Sequence, residues 1–167
     1  MPNRHLPASV EAERSILGAI LLDNRTLKEA AGRLQRDEFS LDSHRRIFSR
    51  MLKLAESAQP IDLTMLIEEL DRGKELQTVG DVGYVSGLLD GVPDRPSIEH
   101  YINIVKDKAL LRNLICQAEG AIKAAYEGHA TGEQVLTGSE TAIRGLADSV
   151  PWGRRRVVFA LGNKFRR

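Results

Sequence analysis

The sequence predicts an all-α protein, and three observations carry that expectation. Residues 98 to 127, IEHYINIVKDKALLRNLICQAEGAIKAAYE, contain no proline and one glycine, Gly120. Their apolar residues Tyr101, Ile104, Leu111, Ile115, Ala118, Ile122 and Ala125 keep the three- and four-residue spacing of a helix, interrupted once at Lys108. No alternation of apolar and polar residues lasts longer than four residues before residue 155. Helix start and stop signals recur along the rest of the chain.

The first helix starts after Pro7 with Ser9 as N-cap, and Glu11 and Glu13 sit in its first turns, where the helix dipole favours negative charge. Its buried side is Val10, Ile16, Leu17, Ile20 and Leu21. Asp23 or Asn24 caps a second helix with Leu27, Ala30, Ala31 and Leu34 inward, and Phe39 in the connection plugs the core. A third helix, from about Ser43 to Ser57, turns Ile47, Phe48, Met51, Leu52 and Ala55 inward. Pro60 breaks the chain, Asp62 caps a short helix burying Leu63, Leu66, Ile67 and Leu70, and Gly73 ends it. Glycines and prolines from Gly80 to Pro96 predict a short, irregular fifth helix, about Gly80 to Leu89, burying Val82, Val85 and Leu88.

Ser97 then caps the long helix. At the standard rise it runs roughly 45 Å, more than a compact domain of this size needs, so part of it is expected to project. Gly128 ends it, and Thr131 with Gln134 reads as a capping box opening a further helix from Gly132 to about Asp148, with Leu136, Ile143, Leu146 and Ala147 at helical spacing. The expected architecture is a compact helical head of five to six helices over residues 5–97, an antiparallel helical hairpin over 98–149 and a basic tail over 150–167. Two helices alone bury little surface, so the hairpin is expected to self-associate through Leu111, Ile115, Ala118, Ile122, Leu136, Ile143 and Leu146.

Composition narrows the function classes. The hydrophobic share of 42% and charged share of 28% are ordinary for a globular protein. The net charge of +1 hides an asymmetry: six cations and no acid follow Pro151, so the first 150 residues are five charges negative. That body is a poor phosphate-backbone binder. The lone cysteine, Cys116, reads as a small, buried or half-buried residue in a reducing compartment, and ILGAILL (Ile16 to Leu22) is too short to span a bilayer; a cytoplasmic protein is expected.

No catalytic, cofactor or metal site is read. The glycine cluster GDVGYVSGLLDG has neither a GK[ST] ending nor a preceding strand, as a nucleotide cradle requires. His5, His44, His100 and His129 lack ligand spacing for zinc, and His44 reads as a capping or surface residue. Glu68 and Glu69 point to different sides of their helix and read as solvated charge.

With the helices placed, PASVEAERSILGAILLDN, DEFSLDSHRRIFSRMLKL, PIDLTMLIEEL, ELQTVGDVGYVSGLLDGVP and IEHYINIVKDKALLRNLI resemble, in order and spacing, the N-terminal domain of bacterial DnaB-type replicative DNA helicases. The match covers about residues 5 to 149 and rests on the ordered blocks, since no single motif carries it. The resemblance implies a head followed by a hairpin, self-association anywhere from dimer to hexamer in a trimer-of-dimers collar, and docking of primase's helicase-binding domain and of a helicase loader. It implies no cofactor and no turnover by this stretch, because the ATP-dependent motor of the family lies in a RecA-like domain with a Walker A loop. Glu11, Tyr84 and Ile115 match positions where the family's primase-facing surface is expected. Tyr84 has a second reading as a core residue at helical spacing from Leu88, and Ile115 a second reading as a contact to Leu136 or Ile143.

After Ser149 the pattern departs from the family: VPWGRRRVVFALGNKFRR replaces the linker helix, as in a gene truncated or frameshifted before the motor. The tail reads either as a basic extension or as a weak nucleic-acid contact through Arg154, Arg155 and Arg156 with Trp152 and Phe159 stacking. Two rival functions follow: an accessory protein that binds nucleic acid through this tail, and an adaptor fragment that inserts into rings of full-length helicase.

Overall fold

The computed structural model describes residues 5–92 and 97–149, and the regular structure among them is entirely helical. The head carries α1 (Val10–Leu22), α2 (Arg25–Arg33), a 3₁₀ turn at Arg36–Glu38, α3 (Asp42–Glu56), α4 (Leu63–Arg72), α5 (Leu76–Val79), α6 (Asp81–Ser86) and a second 3₁₀ turn at Gly87–Leu89. Helices α7 (Ile98–Glu127) and α8 (Gly132–Ser149) follow. The chain divides into two compact units, one ending at Ala109 and the other beginning at Leu110. The tail residues Arg154, Arg155 and Arg156 lie outside the described residues.

The core of the first unit is built around α1 and α3. Ile16, Leu17 and Ile20 face Ile47, Phe48 and Met51, with Phe39 fully buried and its ring centroid 5.0 Å from that of Phe48. Leu66 and Leu70 of α4, Val79, Val85 and Leu88 complete it, together with Ile98, Ile102 and Val105 from the first turns of α7. The buried residues of α7 thus run at their own helical spacing, half a turn out of phase with Leu111, Ala118 and Ile122. Gly18 explains how closely α1 meets the second 3₁₀ turn: a Cβ there would lie 2.2 Å from the carbonyl oxygen of Leu88.

Several expected inward positions face solvent instead. Val10, at the start of α1, is 38% exposed and Val82 of α6 is 47% exposed, while Ala31 and Ala55 are also exposed. Each lies on the shoulder of an amphipathic stripe or at a helix end, where spacing alone does not separate core from rim. Ala12, Ala19 and Leu54 are buried in their stead.

Capping follows the sequence in part. The Asp62 carboxylate accepts from the Met65 amide at 2.8 Å and starts α4. Ser9 and Asn24 occupy cap positions without side-chain caps. The Asn24 amide instead donates to the Ile61 carbonyl at 2.6 Å and accepts from the Ile61 amide at 2.9 Å, pinning the loop before α4 to the α1–α2 corner. At the start of α8, Thr131 and Gln134 close a capping box: the Thr131 amide donates to Gln134 Oε1 at 2.9 Å, and the Gln134 amide to Thr131 Oγ1 at 3.3 Å. Gly128, at φ +66°, ends α7 in the left-handed conformation that favours glycine.

Within the second unit, Gly120, Ala121 and Ala124 of α7 line a groove with Val135, Gly138, Ser139 and Ala142 of α8. Small side chains therefore make up the hairpin seam. Gly120, Gly138 and Gly145 have nothing within 4 Å of the place a Cβ would take.

Candidate protein interaction surfaces

Two regions gather the residues singled out in the sequence, and each is built differently. In the head, Glu11 lies exposed in the first turn of α1, and Tyr84 lies half-buried in α6. Two residues beyond Glu11, Glu13 turns inward and is only 1% exposed. Its Oε2 stands 2.6 Å from Nδ1 of His44, and its Oε1 accepts from the Ser40 amide at 2.6 Å. The other ring nitrogen of His44, Nε2, is 2.8 Å from the Tyr84 hydroxyl. A hydrogen-bonded chain thus runs from α1 through α3 to α6.

This corrects two readings. His44 is neither a cap nor a surface residue: it is fully buried, and its two ring nitrogens are satisfied by residues 31 and 40 positions away. Glu13 does not serve the helix dipole from solvent. Burial works against its charged form, yet the hydrogen bonds from His44 and Ser40 outweigh it and hold the carboxyl below the usual carboxylate value. The Glu13 carboxylate can only accept, so Nδ1 of His44 donates to it, and Nε2 pairs with the Tyr84 hydroxyl.

Glu69 is the other buried carboxylate that the sequence leaves in solvent. It is 3% exposed and receives Lys53 at 2.6 Å, Arg50 at 3.1 Å and Arg72 at 3.0 Å. Glu75 receives Arg46 at 2.8 Å and Arg50 at 2.7 Å. The bond from Lys53 leads in holding Glu69 below the usual value, and that from Arg50 leads at Glu75. These pairs bind α4 and the start of α5 to the outer face of α3.

Three glutamates with lowered folded values fix the sign of the acid response. Their contribution is complete above the ordinary glutamate value of 4.5 and disappears as pH falls through the lower folded values. The urea midpoint of the head is therefore expected to hold steady down to about pH 5 and then to fall on further acidification. A midpoint that stayed level or rose from pH 5 to pH 3 would contradict this assignment.

The second region is the hairpin. Leu111, Ala118 and Ile122 are exposed on α7 and Leu136 and Ile143 on α8, with Ile122 at 53% and Leu136 at 71% exposure. Ile115 and Leu146 are half-buried. Sequence reasoning missed Leu114, at 41%, and Tyr126, at 88%, although both sit one position from stripe residues. Small residues, Gly120, Ala121 and Ala124 of α7 with Gly138 and Ala142 of α8, line the seam between the two helices. Cys116 is exposed, contrary to expectation, because it lies off that seam. Among the described residues no helix is long and apolar enough to cross a membrane.

Residues 5–107 match the family model of the DnaB-like helicase N terminal domain. The replicative DNA helicase DnaB of Geobacillus stearothermophilus is 38% identical over 120 residues, which are 72% of this chain and 26% of that protein. The crystal structure of the N-terminal domain of DnaB helicase from Mycobacterium tuberculosis superposes with a TM-score of 0.78 at 28% identity, covering 84% of this chain and 99% of that one. A structure of a DnaB-like replicative helicase and its interactions with primase gives a TM-score of 0.66 at 19% identity, over 95% of this chain and 36% of that one, a likeness of fold. The chain spans about a quarter to a third of the length of the curated relatives it matches, 26% and 34% in two of them. An all-helical head whose family match spans more than half of the sequence leaves one assignment, and the chain belongs to the DnaB-like helicase N-terminal domain family.

Proposed function

We propose that this chain acts as a non-catalytic oligomerisation and docking domain of a replicative DNA helicase. Copies associate through the hairpin by way of Leu111, Ile115, Ala118, Ile122, Leu136, Ile143 and Leu146, and the domain receives primase's helicase-binding domain, or a helicase loader, with Glu11 and Tyr84 of the first unit as contacts and Ile115 of the second unit as a separate one. The observation that carries this reading is the apolar side of the hairpin: six large hydrophobic residues, Leu111, Leu114, Ile122, Tyr126, Leu136 and Ile143, stand exposed on two helices. Surface of that kind is removed from water by association. Primase enters as partner because a structural neighbour is a DnaB-like replicative helicase described with its interactions with primase.

Light scattering on the full chain at micromolar concentration is the test. The native chain is expected to run above monomer mass, and Ile122→Glu combined with Leu136→Glu to weaken association about a hundredfold or more, since each side chain contributes roughly 1.5–3 kcal/mol on burial. A strictly monomeric native chain would remove the oligomerisation half of the proposal.

A further inference from the structure

We infer that Glu13 and His44 are positioning residues for partner recognition: the buried chain Glu13–His44–Tyr84 locks the Tyr84 ring, so that α6 and the first turn of α1 present one preformed surface. This rests on the docking role proposed above for Glu11 and Tyr84. Helix α6 has six residues and is entered through Gly80 at φ +118° and Asp81 at φ +73°. So short a helix does not hold a side chain in place by itself.

Its far end is fastened independently of Tyr84. Arg14 Nη2 donates to the Gly87 carbonyl at 2.6 Å, and Gly18 admits the Leu88 carbonyl close to α1. What those contacts leave undetermined is the phenol torsion, and the hydrogen bond between the Tyr84 hydroxyl and His44 Nε2, with the two rings stacked at 6.1 Å, determines it. Three apolar side chains would fill the same space without fixing a direction. Hydrogen bonds are directional, and a fully matched buried network holds its members in one arrangement.

The anchor of that network lies on the same helix as Glu11. Glu13 is held from both sides, by His44 and by the Ser40 amide, so the first turn of α1 and the ring on α6 keep a fixed separation. A partner meeting both then encounters groups already ordered, and association loses less conformational entropy.

The test measures affinity of the full chain for the purified C-terminal helicase-binding domain of primase by calorimetry, alongside the urea midpoint. Tyr84→Phe keeps the ring and removes only the hydroxyl; it is expected to weaken binding about five- to tenfold, the entropy of one side chain that must now be ordered on association, and to lower the midpoint modestly, because buried His44 Nε2 loses its partner. His44→Gln is expected to weaken binding to a similar extent, and the double variant no further, because both break one chain. Additive losses, or native affinity in Tyr84→Phe, would overturn the inference while leaving the docking role standing. Should His44→Gln fail to fold, Tyr84→Phe alone decides. Absence of binding by the native chain would remove the docking role and this inference together.

Discussion

Phe39→Ala is expected to lower the unfolding free energy by about 3–5 kcal/mol, toward the upper end of that range. The ring is completely buried against Phe48 and lies between α1 and α3, where most of the core converges. The cost of such a cavity depends on whether the surroundings can collapse into it, and here the backbone is held on both sides. The Phe39 carbonyl accepts from Arg45 Nε at 2.7 Å, and the next amide, of Ser40, donates to buried Glu13 at 2.6 Å. Closing the hole would break one of these bonds. Urea unfolding with an unchanged denaturant slope measures the effect, and a loss under about 1.5 kcal/mol would show that the loop relaxes freely.

His44→Ala is expected to cost a comparable amount, about 3–5 kcal/mol, for a different reason. Alanine removes a ring and leaves the Glu13 carboxylate buried with the Ser40 amide as its remaining partner, while the Tyr84 hydroxyl loses its ring partner. A desolvated carboxylate that has lost one of its two donors is the larger part of the penalty. Adding Glu13→Gln to His44→Ala is therefore expected to recover part of the loss, because an amide carries no charge into the interior. If the second substitution deepened the loss, the carboxylate would have to be reached by water in the single variant.

Much of the helical layout was legible because its determinants are local. The bounds Ile98 and Glu127, the stop at Gly128, the capping box at Thr131 and the cap at Asp62 all depend on residues within one turn of each other. Phe39 could be placed in the core from its isolation between two polar stretches. The buried polar groups were not legible, since Glu13 meets His44 across 31 residues and Arg50 meets Glu69 across 19, and no spacing rule connects them. The long helix misled in one respect. Its apolar residues fall into two sets half a turn apart, Ile98, Ile102, Val105 and Ala109 on one line and Leu111, Ala118 and Ile122 on another, and the stripe read from the sequence, Tyr101 to Ala125, followed the second and passed over the first. Of the candidate interface, the exposure of Leu111, Ile122, Leu136 and Ile143 followed from pattern, whereas the seam of alanines and glycines had no hydrophobic signature to reveal it.

The three interior glycines of α7 and α8 have a mechanical meaning. At Gly120, Gly138 and Gly145 no neighbour crowds the missing methyl group, so packing does not demand a glycine there, and relative to alanine each gives up about 1 kcal/mol of helix propensity. The two rods are consequently more compliant than their length suggests. They can take up small changes of curvature cheaply, as a spring of low stiffness does, while the head, braced by ion pairs and matched buried groups, stays rigid.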